Sequence, residues 1–250
     1  MTEQKKKDFA VPDFYITAPQ PCPYLPGRNE RKLFTHLTAD KSPHVVDNLL
    51  RSGFRRSQNI AYTPYCDSCQ ACVSVRILAA EFEPGRTFRK TLAYNADVVA
   101  RRIEPVPSME QYTLFRDYIQ SRHGDGGMTE MSVQDYALMI EDSIIDTFLT
   151  EYRIRPPGAL DSSFSRWPLA GVTLCDRVSD GISMVYSYFD ADEPERSLGT
   201  YMILENVRHA KAHGLPYVYL GYWIRGSRKM SYKTRFQPQE QLVSGRWVRA

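Results

Sequence analysis

No stretch of this 250-residue chain approaches the roughly 20 consecutive apolar residues that a bilayer-spanning helix needs, so no membrane span is expected. The opening Met1-Thr2-Glu3-Gln4-Lys5-Lys6-Lys7 is polar and lacks the apolar core of a secretory signal. Net charge is small: 32 Lys and Arg against 29 Asp and Glu leave +3 at neutral pH. That excludes a histone-like polycation while permitting local basic patches that meet phosphates. Histidine is scarce, with 5 in the chain, and none stands near a cysteine in sequence, so a local Cys–His nucleophile pair is not expected. The cysteines also number only 5, an odd set, and three of them crowd at Cys66, Cys69 and Cys72. Such spacing suits metal ligation or thiol chemistry and is unlike a secreted disulfide framework, which points to the reducing cytosol. Internal repeats and low-complexity tracts are missing too.

What is present is the composition of a globular protein: 42% apolar and 24% charged, with 16 tyrosines and 11 phenylalanines. The length allows one large domain or two small ones. Residues 1–15 read as a flexible tail, and the proline-rich stretch 18–27 as an ordered loop or extended arm. A strand is expected over 31–38, then a helix capped by Ser42-Pro43 and closed by Gly53, with Val45, Val46, Leu49 and Leu50 as its buried stripe. Strands are predicted over 59–63, 73–78 and 96–103, and a helix over 87–94. Pro105 and Pro107 mark the expected boundary between an N-terminal domain, 16–105, and a second domain, 106–250. Two helices with capping boxes follow, Ser108 with Gln111 and Ser132 with Asp135, joined by a surface turn at Gly124-Asp125-Gly126-Gly127. After a strand over 147–154 and a Pro/Gly/Ser-rich excursion, paired strands over 169–175 and 182–189 flank an Asp180-Gly181 turn signal. A helix over 198–213, ended by Gly214, leads to a strand over 217–222.

This strand–loop–helix–strand order, with a glycine at the helix start, resembles the acyltransferases of the GNAT class, in which that loop holds the pyrophosphate of coenzyme A at a helix N-terminus. Here the loop reads Arg196-Ser197-Leu198-Gly199-Thr200-Tyr201, with tyrosine where the class has a small residue. Crowding by Tyr201 is expected to disfavour coenzyme A.

Two longer stretches resemble the aminoacyl-tRNA–protein transferases. The first is Leu49-Leu50-Arg51-Ser52-Gly53-Phe54-Arg55-Arg56-Ser57, continuing through Tyr62-Thr63-Pro64 and Cys69-Gln70-Ala71-Cys72-Val73-Ser74-Val75-Arg76. The second is Tyr219-Leu220-Gly221-Tyr222-Trp223-Ile224 through Lys229-Met230-Ser231-Tyr232-Lys233 and Pro238. The compact size is similar to the bacterial aspartate/glutamate leucyltransferase group. The resemblance implies an α/β (α+β) fold, a small N-terminal domain joined to a GNAT-like domain. It also implies transfer of leucine from leucyl-tRNA to proteins with N-terminal Asp or Glu, in the cytoplasm. An arginine donor, with Asp190, Asp192, Glu193 or Glu195 as guanidinium partners, and a coenzyme A-dependent acetyltransferase are the alternatives. Eukaryotic relatives carry cysteine pairs implicated in iron–sulfur binding, whereas here Cys22 has no second cysteine nearby and Cys69 is followed by Gln70.

Candidate site residues fall into four groups. Arg55, Arg56 and Arg76 can grip a carboxylate with paired N–H donors, and Arg76, alone in an apolar strand, is the preferred anchor. Trp223, Arg225, Arg228 and Arg235, interleaved with Tyr232 and Phe236, suit the phosphates and unstacked bases of a tRNA end. Lys229, Tyr232 and Lys233 are the catalytic candidates, positioning the tRNA end or the developing charge. Cys22, Cys66, Cys69 and Cys72 could supply four thiolates to zinc or an iron–sulfur cluster, although attack on an activated ester requires no cofactor. A second basic group, Arg86, Arg89, Lys90, Arg101 and Arg102, is expected to be solvated. His209 and His213 are expected to be ordinary helix residues.

Overall fold

The computed structural model describes residues 12–38, 43–123 and 127–250. In chain order, β1 (Tyr15–Ile16), β2 (Gln20–Pro21), β3 (Asn29–Glu30) and β4 (Lys32–His36) precede α1 (Pro43–Arg51). Next come β5 (Arg55–Ser57), β6 (Ile60–Pro64), β7 (Cys72–Leu78), α2 (Arg86–Tyr94), β8 (Val98–Ile103), α3 (Met109–His123) and α4 (Val133–Glu141). The last part holds β9 (Thr147–Ile154), β10 (Leu169–Val178), β11 (Gly181–Phe189), α5 (Leu198–Ala212), β12 (Tyr217–Ile224), β13 (Gln239–Val243) and β14 (Arg246–Arg249). The tail expected over 1–15 lies outside the described residues up to residue 11, while Tyr15 pairs with Phe34 in β4. The Ser42 cap and most of the Gly124–Gly127 turn also lie outside the described residues.

A small antiparallel sheet has the spatial order β1-β4-β6-β5, and β2 pairs with β3. One eight-stranded sheet, ordered β14-β13-β7-β12-β11-β10-β9-β8, carries the rest. Because β7 and β8 precede residue 105 and lie in this sheet, the prolines there separate a strand from a helix, and the large sheet runs across the expected boundary.

Strand alternation assigns the layers. On β12, Val218 and Leu220 pack with Phe88 of α2 and with Ile203, Leu204 and Val207 of α5. Tyr219 faces the other way, against Leu49 and Leu50 of α1 and Ala61 of β6. On that second side Phe115 and Ile119 of α3 and Ile140 of α4 cover Leu149, Val172 and Leu174. Each such buried Leu, Ile or Phe contributes about 1.5–3 kcal/mol, so the large sheet is held from both faces. Both expected capping boxes form, with Gln111 N–H donating to Ser108 Oγ at 3.2 Å and Asp135 N–H to Ser132 Oγ at 3.2 Å.

The 169–189 hairpin is longer than expected, since Val178 pairs with Gly181 and the turn contracts to Ser179-Asp180. Gly181 is therefore a strand residue. A Cβ on it would stand 2.3 Å from Tyr217 O, so glycine is needed for β12 to approach. That parallel contact is short: Gly181, Ile182 and Ser183 pair with Tyr217, Val218 and Tyr219, and no pairing continues beyond. β11 runs on to Phe189 and β12 to Ile224, so the sheet opens as a fork. β12 also bulges at its mouth, between Tyr219 and Gly221, where Gly221 takes φ 76°.

Candidate active site

The fork opens into a cleft of about 1340 Å³. Its walls come from distant parts of the chain: Arg55 and Tyr62 of the small sheet, Met184 and Tyr186 of β11, Gly221 and Tyr222 of β12, and Gly199 and Thr200 of α5. The 3-10 segment Arg228–Arg235, which follows β12, adds Lys229, Met230, Tyr232 and Lys233.

Local chain geometry explains how Arg55 arrives there. Gly53 ends α1 with φ 93°, and a Cβ on it would sit 2.4 Å from Leu242 Cδ2. Its carbonyl accepts from Ser74 Oγ at 3.0 Å and from the Tyr222 hydroxyl at 2.9 Å, which pins the turn against the large sheet. Alternation along β5 then sends neighbouring arginines to opposite fates. Arg55 enters the fork, where Nη1 donates to Ser183 Oγ at 3.1 Å and Nη2 donates to Met184 O. Arg56 goes into the interior and meets Asp176 with both Nε (2.7 Å) and Nη2 (2.8 Å). Both side chains of that pair are buried, at 1% and 0% exposure, so Arg56 is committed within the protein.

Arg76, the preferred carboxylate anchor in the sequence, is enclosed as well. It donates to Glu240 Oε2 from Nε at 2.7 Å and to the Tyr219 hydroxyl at 3.0 Å, with its guanidinium 3.5 Å from the Tyr217 ring centre. A charge in an apolar strand needs partners, and Arg76 finds them on β12 and β13. It is not part of the cleft lining. Of the three arginines, Arg55 is thus the one that combines a cleft position with partners that are uncharged.

Lys233 is buried, yet its side chain forms part of the cleft wall. Nζ donates to Leu220 O at 2.9 Å and to Tyr222 O at 2.8 Å, serving β12 where a neighbouring strand would otherwise stand. Burial, reinforced by the Arg55 charge, pulls its pKa down to about 7. Tyr232 is 40% exposed beside it, and Lys229 is exposed on the same segment.

Arg225, Arg228 and Arg235 are exposed around this segment and outside the cleft lining. Trp223 is half-buried, packed against the core with its ring 5.9 Å from the Arg225 guanidinium. Phe236, expected among the base-stacking aromatics, is instead a core residue stacked on Phe88 at 4.9 Å. Arg102, expected to be solvated, lies over the Phe148 ring at 4.3 Å and against His209.

Cys22, Cys66, Cys69 and Cys72 all line one end of the cleft. Cys69 accepts from Arg28 Nη1 at 3.2 Å, and its pKa is lowered by the Ala71 backbone N–H and then by Arg28. Burial first, then the neighbouring thiols, pushes Cys72 up to about 12. Among the described residues no three His, Cys, Asp or Glu side chains are grouped so as to hold a metal ion.

Tyr201 is in the core, donating to Val98 O at 3.0 Å, so it does not crowd the loop before α5 as expected. The fork itself is what is filled, by Arg55. Sequence reasoning missed Ser183 as its hydrogen-bond partner and Gly221 as the residue that makes room. An isolated glycine within the apolar strand Tyr219-Leu220-Gly221-Tyr222 was the available signal.

The family model for the arginine-tRNA-protein transferase N terminus matches residues 20–90, and that for the C terminus matches 110–243. The chain belongs to this transferase family. An aspartate/glutamate leucyltransferase of Sinorhizobium medicae is 56% identical over 238 residues, covering 95% of this chain and 92% of the relative. One of Nitrobacter hamburgensis is 57% identical over 239 residues, covering 96% and 92%. Among solved structures, FemX aligns with TM-score 0.46 and 13% identity over 80% of this chain and 65% of its own. Among the described residues of the transferase, no helix is long and apolar enough to cross a membrane.

Proposed function

We propose that this transferase moves leucine from leucyl-tRNA to the α-amino group of proteins that begin with Asp or Glu, marking them for degradation. The reading rests above all on the 56% identity, over nearly the whole chain, to a relative named for that transfer. The amine attacks the ester that joins leucine to the terminal ribose, a peptide bond forms, and the tRNA leaves. Because the ester is already activated, alignment, a deprotonated amine and charge stabilisation suffice, and no cofactor is needed. An aminoacyl-tRNA donor puts the work in the cytoplasm. The fork supports reading the large sheet and its covering helices as a GNAT-like acyl-transfer scaffold.

Arg55 is the arginine assigned to the acceptor's side-chain carboxylate. Its two bonds in the fork use two of its five N–H donors, and the rest can meet a carboxylate. Lys229, Tyr232 and Lys233 flank the reacting centre. The exposed Arg225, Arg228 and Arg235, with Trp223, are assigned to the acceptor end of the tRNA, where each phosphate contact adds salt dependence.

The test combines radiolabelled leucyl- or arginyl-tRNA with peptides beginning in Asp, Glu, Arg or Ala. Label should pass from leucyl-tRNA to the Asp and Glu peptides alone. Arginine transfer, or leucine on the Arg and Ala peptides, would overturn the assignment.

A further inference from the structure

Lys233 combines features that have no structural necessity in a salt-bridged protein surface. It is 7% exposed, lines the cleft, and among the described residues meets no carboxylate within ion-pair distance. Its two hydrogen-bond partners are backbone carbonyls, those of Leu220 and Tyr222, which flank the Gly221 bulge. The charged neighbour is Arg55, of the same sign, from the other wall of the fork. Two N–H bonds and the bond to Cε fill three of the four positions around Nζ. In the neutral amine the fourth is a lone pair.

We propose that Lys233 is the catalytic base of the transfer, its neutral amine taking the proton from the attacking α-nitrogen and returning it to the ribose oxygen that leaves. The proposal rests on the leucyl-transfer reading. As the nitrogen–carbon bond forms, the carbonyl π pair moves onto oxygen and a proton passes from the attacking nitrogen to Nζ. On collapse that pair re-forms the carbonyl, the bond from carbon to the ribose oxygen breaks, and Nζ gives the proton to that oxygen. No proton is gained or lost overall. The residue's pKa near 7 matches such a role, since a base works best near the operating pH. Arg55 completes the placement: an acceptor whose side-chain carboxylate rests on its guanidinium has its α-nitrogen only a few bonds away, within the cleft that Lys233 also lines.

A purely structural role, clasping two carbonyls of β12, predicts a different outcome for one substitution. Lys233→Arg keeps donors for both carbonyls but cannot lose its proton. The measurement is leucine transfer to an Asp peptide as kcat against pH, from about pH 5.5 to about 9, alongside leucyl-tRNA affinity and thermal midpoint. The wild-type kcat should rise with pH through a midpoint near 7. Lys233→Arg should keep the affinity and lose kcat by about 10²-fold or more, with the midpoint near 7 gone. Rescue to wild-type kcat with an unchanged profile would overturn the proposal and leave Lys233 a clasp. Should the arginine variant not fold, NMR titration of the Lys233 side chain in the wild-type protein decides, and a midpoint above about 9 refutes a neutral amine at working pH. If Lys233 titrates near 7 but the wild-type protein transfers no leucine, the donor reading falls and takes this assignment with it.

Discussion

Replacing Arg56 by leucine separates a structural arginine from Arg55, the one proposed to bind substrate. Its guanidinium meets Asp176 in a two-point contact at 2.7 and 2.8 Å, with both side chains effectively out of water. Removing it leaves the Asp176 carboxylate with the Thr147 hydroxyl, 2.8 Å away, as its remaining donor among those described. An uncompensated buried charge of this kind costs about 3–5 kcal/mol, a large share of the roughly 5–15 kcal/mol that holds a typical native state. At about 2–4 °C per kcal/mol for a chain this long, the thermal midpoint should fall by roughly 6–20 °C. Urea titration should show a lower midpoint with an unchanged slope, because the surface exposed on unfolding is the same. The double variant R56L/D176L removes both charges and should recover most of the loss, as apolar replacement of a buried pair is often neutral. Below the transition, R56L should retain its preference for Asp and Glu peptides over Ala. A variant as stable as wild type, or one that stays folded yet loses that preference, would refute the reasoning.

Gly221→Ala should fold less stably and lose transfer activity by about tenfold or more. The added Cβ would stand 2.8 Å from Arg55 Nε at a backbone φ of 76°, so wild-type kcat/KM in this variant would show that the fork tolerates a displaced Arg55. Iodoacetamide at neutral pH should modify Cys69 first, because its thiolate is favoured by the Ala71 N–H and Arg28, and Cys72 and Cys175 last, because burial disfavours theirs. Peptide mapping by mass spectrometry reads the order; early labelling of Cys72, or no slowing of Cys69 in Arg28→Ala, would contradict it.

The elements legible in the sequence were those whose patterns are local. Periodicity and capping chemistry located α1, α3, α4 and α5, and the strand over 147–154 matches β9 at both ends. The β13–β14 hairpin was missed although Ser244 and Gly245, with φ 49° and 75°, form its turn and Ser-Gly is a recognisable signal. Fates set by partners far along the chain were not legible. Arg55 and Arg56 look alike in sequence, and Arg76 stands apart only by its apolar strand. One faces Ser183, another Asp176 and the third Glu240, and pairing across that many residues leaves no periodic trace. The Lys229–Lys233 segment was recognised by resemblance, whereas the burial of Lys233 follows from β12 losing its partner on the β11 side beyond Tyr219 while β7 stays paired on the other.

The small sheet is riveted to the large one by Tyr222 and Ser74 on the Gly53 carbonyl, by Arg56 on Asp176, and by Arg55 in the fork. These rivets bracket the cleft, so the layer cannot lift away without withdrawing the Arg55 guanidinium from it. Loss of catalytic competence should therefore precede global unfolding under mild denaturant, and turnover itself becomes a sensitive gauge of whether the N-terminal layer is seated.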